Sequence, residues 1–388
     1  MTRSTPRSPG RSECRDDKGS GKARKGVSTI ERFFDLIFVW AVTRISELLQ
    51  EDISWEQVFR ALVVFVPVYW LWVGTTMYAN LTDVDNPRGR LSFFVVAFAG
   101  LGMALALPGS FAEESTAPWF AGAYWLGRLV LFAAVADHPH RREFITFPVG
   151  AFITGPLLMI GALVDAEWRL WIWGLAAFIE LVTPIIRRTL VAATPFATSH
   201  LADRYSTFVI IAIGETIVAS GAAAGHHGID WTEVVALALG FAVCCSMGWT
   251  YFDLASRAIE YALERAEIAI DAIRPVLSYG HLPFVVAIIA VAAGIGTAVQ
   301  EPTEHLPLGI AALVCGGTAL SLITFGFTRW QLARTLAIPR MTGAAACALL
   351  ILLASALFAM GLLALLALVM LLVNVGDHLR SATNPAMA

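Results

Sequence analysis

The sequence predicts an all-α integral membrane protein of about 12 transmembrane helices, arranged as two parallel six-helix pseudo-repeats. Three observations lead there. Hydrophobic residues make up 57% of 388 and charged ones only 15%, with a mean hydropathy of +0.68, whereas soluble chains sit near half apolar and a quarter charged. Apolar runs of the ~20 residues that a spanning helix needs recur along the chain. Two of them also align without a gap, 172 residues apart: ERFFDLIFVWAVTRISELL from Glu31 and DRYSTFVIIAIGETIVASG from Asp203. Asp203 then falls on Glu31, Arg204 on Arg32 and Tyr205 on Phe33.

Residues 1–28 hold eight Lys or Arg against three acids, and read as a disordered basic cytoplasmic tail. They lack the short apolar core and cleavage site of a secretory signal. Hydrophobic segments follow at 29–49, 57–79, 91–110, 117–136, 144–164 and 168–187, forming a first half over 29–190. Those at 201–221, 232–254, 276–298, 307–327, 342–357 and 360–375 form a second half over 200–376. As one helix, 342–375 would run about 51 Å against a ~30 Å hydrocarbon core, so two helices turning near Met360-Gly361 are expected. Residues 377–388 read as a cytoplasmic tail.

Loop charge tests this map. Arg88, Arg90, Arg141, Arg142, Arg187 and Arg188, then Arg257, Arg265, Arg274, Arg329, Arg334 and Arg340, fall in alternate loops, while the intervening loops hold only Arg169. By the positive-inside rule both termini are cytoplasmic. Trp55 and Trp231 open the second span of each half, and Trp72 and Trp249 lie near their inner ends. Six spans per half make the repeats parallel. Within 257–274, Ile259, Leu263, Ala266, Ile270 and Ile273 make a helical stripe beside Glu260, Glu264, Glu267 and Asp271. This amphipathic cytoplasmic helix suits a packing strut better than a lipid anchor.

Charges within the membrane are costly and find partners or water. Depth along each span puts Asp35, Asp203, Arg204, Asp253 and His281 in the inner third, with Arg128 and Glu180 near the middle. Arg44, Glu47 and Glu215 fall in the outer half. This layering pairs Glu215 with Arg128 or Arg44, and Asp35 with Arg204 across the halves. Glu180 precedes Pro184 by four residues, and the carbonyl freed by that proline makes a cation or proton site. His281, before Leu282-Pro283, can relay protons. The pathway candidates are therefore Asp35, Glu180, Glu215, His281 and Asp253, with Arg44, Arg128 and Arg204 as counter-charges. Under the structural alternative the same charges are a clasp between halves.

Other chemistry finds little support. Cys14, Cys244, Cys245, Cys315 and Cys347 form no CxxC or Cys/His ligand spacing, and His226-His227 lacks further ligands. His138 and His140 read as solvated loop residues. No HExxH, GxSxG, Walker or dinucleotide motif occurs. No catalytic residue, metal, cofactor or nucleic-acid partner is assigned; the partners expected are the lipid bilayer and an ion or small solute, with an oligomer left open.

The stretches FFDLIFVWAVTRIS (33–46), HLADRYSTFVIIAIGETIVASG (200–221), GWTYFD (248–253), YGHLP (279–283) and ELVTPII (180–186) resemble the bacterial low temperature requirement A family. Asp203-Arg204-Tyr205-Ser206 stands where that family usually has Glu-Arg-Phe-Gly. The resemblance spans nearly all of the chain after the tail and implies a multi-pass protein of the bacterial inner membrane. A fainter likeness ties Phe33-Phe34-Asp35 to the aromatic-Ser-Asp motif of lysosomal-type potassium channels, without the serine. The function expected is a transporter or channel for an ion or small solute, with proton coupling as one form of it. A non-transporting scaffold or stress-adaptation factor is the first alternative, and a membrane-embedded enzyme the second.

Overall fold

In the computed structural model the described residues are 26–51, 53–112, 115–136, 144, 146–187, 197–224, 230–264, 275–333 and 335–383. They are helical, with no strand among them. Helix α1 (Thr29–Glu51) begins where Ser28 and Glu31 exchange bonds. The Glu31 carboxylate accepts from the Ser28 N–H at 2.7 Å, and the Ser28 hydroxyl oxygen accepts from the Glu31 N–H at 3.4 Å. This capping box sets the depth at which Asp35, one turn on, enters the bundle. Helix α2 (Trp55–Leu81) starts at Ser54, whose side chain accepts from Gln57 N–H. Helix α3 (Pro87–Ala106) starts at the Asn86-Pro87 cap, four residues before the expected segment, and stops ahead of Pro108. The Ala106 carbonyl left open there accepts the hydroxyls of Ser110 and Thr116.

The chain continues through α4 (Ala117–Val135), α5 (Thr146–Ala162), α6 (Ala166–Ile186), α7 (Thr198–Ala223) and α8 (Trp231–Glu264). Helix α9 opens as a π turn, Pro275–Tyr279, and continues as Gly280–Gln300. Next come α10 (Leu308–Ala333), α11 (Ile338–Leu353) and α12 (Ala359–Thr383). Nine of the described helices are long and apolar enough to cross a membrane. Helix α1 matches them in length but carries Glu31, Arg32, Asp35, Arg44, Glu47 and Glu51. Helices α5 and α11, from the segments drawn at 144–164 and 342–357, are apolar but shorter.

Three further differences from expectation have a visible reason. The break between α11 and α12 falls at 354–358, ahead of Met360-Gly361, because the loop before α10 caps α12. Ala359 N–H donates to Glu304 O at 2.8 Å and Met360 N–H to Pro302 O at 3.0 Å. Residues 377–383, expected in the tail, continue α12, where buried Asp377 accepts from Arg340 Nε at 2.5 Å. The first part of the expected amphipathic segment prolongs α8 to Glu264. Residues 265–274, the tail before Gly26, His138, His140, His226 and His227 lie outside the described residues.

Both π turns have a local cause. Each holds a residue four before a proline, Phe152 before Pro156 in α5 and Tyr279 before Pro283 in α9. The missing N–H and the ring clash deprive that carbonyl of its usual bond, and the helix widens.

In the first part of the chain α1 packs on α2 and α3, α2 on α3, α4 and α6, α4 on α3 and α5, and α5 on α6. In the second, α7 packs on α8 and α9, α8 on α9, α10 and α12, α10 on α9 and α11, and α11 on α12. The two groups meet where α1 lies against α7 and α9. The core follows that seam: Phe34, Phe38, Val64, Leu71 and Trp72 on one side, Val209, Phe284, Val285 and Ala293 on the other, all fully buried. Phe98, Leu105, Trp119, Trp171, Ile186 and Leu352 face outward and are largely exposed. So much contiguous apolar surface suits lipid and not water.

Helices α9 and α10 touch through Gly294, where an added Cβ would lie 2.4 Å from Val314 Cβ and 3.0 Å from its Cα. Small residues permit such backbone approach in membranes. Gly294→Leu is expected to cost about 1–3 kcal/mol through overpacking and to lower the melting temperature of the detergent-solubilised protein. Gly361→Leu, whose nearest neighbour would be Leu357 at 4.0 Å, is expected to leave it unchanged.

Candidate functional site: the seam between α1, α7 and α9

Asp35 is wholly buried at the seam. Its two oxygens accept from Trp72 Nε1 and from Arg204 Nη1, each at 2.7 Å. Arg204 also donates to the Glu31 carbonyl at 2.7 Å and to Thr76 Oγ1 at 3.4 Å. The pairing expected between Asp35 and Arg204 is thus present in the geometry. One helical turn nearer the start of α1, the Glu31 carboxylate lies 3.1 Å from His200 Nε2. Asn80 spans the start of α7, accepting from Ala197 N–H and donating to Ala197 O, both at 2.8 Å. Its amide nitrogen therefore also donates to His200 Nδ1, at 3.1 Å. A ring nitrogen that accepts carries no proton, which places the His200 proton on Nε2, facing Glu31.

Two hydrogen-bonded groups lie alongside. Tyr69 donates to Ser278 O at 2.8 Å, and Tyr205 meets Ser278 Oγ at 3.0 Å. His281 is buried, its Nε2 3.0 Å from Tyr251 OH, which in turn lies 3.3 Å from Ser206 Oγ. Ser278 reaches both tyrosines because it sits in the π turn. Asp253 belongs to α8, and its side chain lies outside the described ones.

Glu180 and Arg128 stand apart from the seam, inside the first group of helices. Arg128 Nη2 reaches both Glu180 oxygens, at 2.6 and 2.7 Å; Thr154 donates to Oε1 at 2.6 Å, and Tyr124 donates to it as well. The π turn of α5 presents Thr154, and glycine makes the room: a Cβ on Gly150 would lie 2.0 Å from Arg128 Nε. The place a cation would take beside Glu180 is filled by the guanidinium. Near the proline kink of α6, Tyr279 donates to Leu181 O at 2.7 Å. A cavity of about 30 Å³, lined by Gly74, Arg128, Pro184, Ser278 and Tyr279 among others, lies between this clasp and Ser278.

Toward the C-terminal ends of α1, α7 and α9 the seam opens into a cleft of about 250 Å³. Thr43, Ser46, Glu47 and Gln50 line it from α1, Thr216 and Ser220 from α7, and Gln300 from α9. The lining residues farthest from the helix ends are Val42, Ala212 and Ala292. Eight residues of α1, about 12 Å, separate Asp35 from Thr43, and buried Phe38, Val39, Val209 and Ile213 fill that interval.

Glu215 corrects an expectation. It is half-buried on α7 and pairs with neither Arg128 nor Arg44: Glu180 holds the first and Glu47, one turn along α1, holds the second. Depth along a span gives a residue's level but not its direction around the helix, and direction decides partners. Glu47, Gln50, Gln300, His200, Asn80 and Trp72 were not among the sequence candidates. A signal existed for the cleft, since Thr43, Ser46, Glu47 and Gln50 form an i, i+3, i+4, i+7 polar stripe along the second half of α1.

The Arg128–Glu180 clasp makes a direct prediction. Removing one partner of a buried pair costs about 3–5 kcal/mol, whereas replacing both with apolar residues of similar volume is near neutral. Arg128→Met and Glu180→Met are each expected to lower the melting temperature sharply, and the double variant to recover most of the loss. Additive losses would show that the two groups do not act as a pair.

The sequence profile of the bacterial low temperature requirement A protein matches residues 26–375, taking in the seam, the cleft and the clasp. The chain is also 31% identical over 310 residues to uncharacterized protein RA0937 of Rhizobium meliloti (strain 1021), covering 75% of this chain and 74% of that one. The chain is a multi-pass membrane protein and belongs to the bacterial low temperature requirement A family.

Proposed function

We propose that the protein moves an ion or small solute across the bacterial inner membrane along the seam of α1, α7 and α9. The observation that carries this reading is the polar cleft at that seam, set above an apolar layer and a buried ionic network. The frame proposed is twelve spans in two parallel halves with both termini cytoplasmic. The packing scheme supports it: α1 on α2 and α3, α2 on α4 and α6, and α3 on α4 recur six helices later as α7 on α8 and α9, α8 on α10 and α12, and α9 on α10. The loop arginines supply the orientation, with the cleft facing outward. Sites at repeat interfaces near the bilayer midplane are the common plan of secondary transporters. Asp35, His281 and Glu215 are the exchangeable groups proposed for coupling.

One observation favours the scaffold reading: Asp35 and Glu180 each meet an arginine in a closed interior. The two readings separate in proteoliposomes loaded with a pH-sensitive dye under imposed potassium, sodium or proton gradients. Transport predicts a protein-dependent signal that falls in Asp35→Asn and in Glu47→Gln while both remain folded. Silence of the folded wild type under all three gradients would remove ion transport. Variants that melt earlier yet carry the wild-type flux would make Asp35 a clasp alone.

A further inference from the structure

We infer that the cleft at the ends of α1, α7 and α9 is a binding site for a small cation, bound through oxygen acceptors. The inference deepens the transport reading and rests on the cleft being its mouth. Hydrogen-bond accounting carries it. Thr43 donates its hydroxyl hydrogen to Val39 O at 3.3 Å, Thr216 to Ala212 O at 3.0 Å and Ser220 to Thr216 O at 2.7 Å. These three hydroxyl hydrogens are thus committed to their own helices, and those groups turn oxygen lone pairs to the cleft, while the Ser46 hydroxyl and the Gln50 and Gln300 carboxamides can both donate and accept.

Glu47 adds a carboxylate, which only accepts. One of its oxygens, Oε2, takes the Arg44 bond, and its side chain is 45% exposed, so a ligand in the cleft can reach it. Arg44 is not part of the lining, and half-exposed i, i+3 pairs of this kind bind weakly enough to be shared or displaced. The lining contains no Lys, Arg or His. A wall rich in acceptors, with one carboxylate and no cationic side chain, favours a positive charge over an anion.

Size narrows the class further. About 250 Å³ falls below the ~300–1,000 Å³ of sites for drug-sized ligands, yet exceeds what a bare ion fills. The occupant is a partly hydrated monovalent cation or a small organic ammonium. Gln50 turns its carboxamide over Gly296, where an added Cβ would lie 3.2 Å from Nε2.

Calorimetric titration of the full-length protein in lipid nanodiscs, in N-methylglucamine buffer at fixed ionic strength, tests this with potassium, ammonium, methylammonium and, as neutral and anionic probes, urea and acetate. Saturable binding of at least one cation and of neither other probe is expected. Glu47→Gln is expected to weaken it about tenfold or more, as loss of a charge-assisted bond does, and exposed Glu56→Gln not at all. Gln50→Leu serves as a second variant where Glu47→Gln does not fold. Potassium binding points to a hydrated ion, and methylammonium alone to an organic cation. No cation binding by folded wild type, or binding unmoved by both cleft variants, overturns the inference. Binding without flux in the proteoliposomes would sink transport but leave the site, and flux of another solute without cation binding would do the reverse.

Discussion

The fixed point of this structure is the Asp35–Arg204 pair. Two charges buried together cost desolvation that only good geometry and full hydrogen bonding offset. The surroundings meet that demand: Trp72 fills the second carboxylate oxygen, and the Glu31 carbonyl and Thr76 take further guanidinium hydrogens. Because Asp35 lies on α1 and Arg204 on α7, these bonds fix the register of the helices that join the two groups. The capping box at Ser28 and Glu31 serves the same end, since Glu31 offers its carbonyl to Arg204 and its carboxylate to His200. Loss of the cap would therefore disturb both groups.

The aligned stretches of α1 and α7 are alike in sequence and unlike in use. Arg204 is wholly buried, while its counterpart Arg32 is exposed and donates to Val27 O. The reason lies at the position opposite: where α1 has Asp35, α7 has Thr207, whose hydroxyl donates to its own helix at Asp203 O. An arginine without a carboxylate across the seam is better solvated than buried. Trp72 and Trp249 divide likewise, the first enclosed and the second about half exposed. The aligned stretches thus differ in use through single residues at the seam.

Much of the frame was legible in the sequence because hydropathy acts through sums over ~20 residues, which survive local detail. Nine long helices fall where the apolar runs lie. Ends were less legible where a distant loop does the capping, as 301–307 does for α12. Asp35 and Arg204 stood out because charges in apolar runs are rare. Their neutral partners did not: Trp72, Asn80, Tyr124 and Thr154 are ordinary residues for spanning helices, and only proximity in space gives them meaning. Arg169 shows the same limit. As the sole arginine in the expected outer loops it resembles an exception, yet it is buried and donates to Ser110 O, Ser115 Oγ and Val164 O. It acts as a strut rather than a solvated charge, so it does not weigh against the topology that loop charge implies.

The seam is not held equally by its three helices. Helix α1 is tied to α7 by ionic bonds, whose loss one partner at a time costs about 3–5 kcal/mol. Near the same level α9 is tied to α2 and α7 through Ser278, by neutral bonds worth about 0.5–1.5 kcal/mol each, and to α8 through the bond between His281 and Tyr251. These bonds issue from or adjoin a π turn whose backbone is already irregular. By polar bonds alone, the α9 side of the seam is therefore held more weakly than the α1–α7 side. The cleft lies between those same elements, bounded by the ionic pair of helices on one side and by α9 on the other. The clasp is thus compatible with the proposed passage at one interface: the buried charges hold α1 against α7, and α9 closes the cleft without an ion pair of that kind.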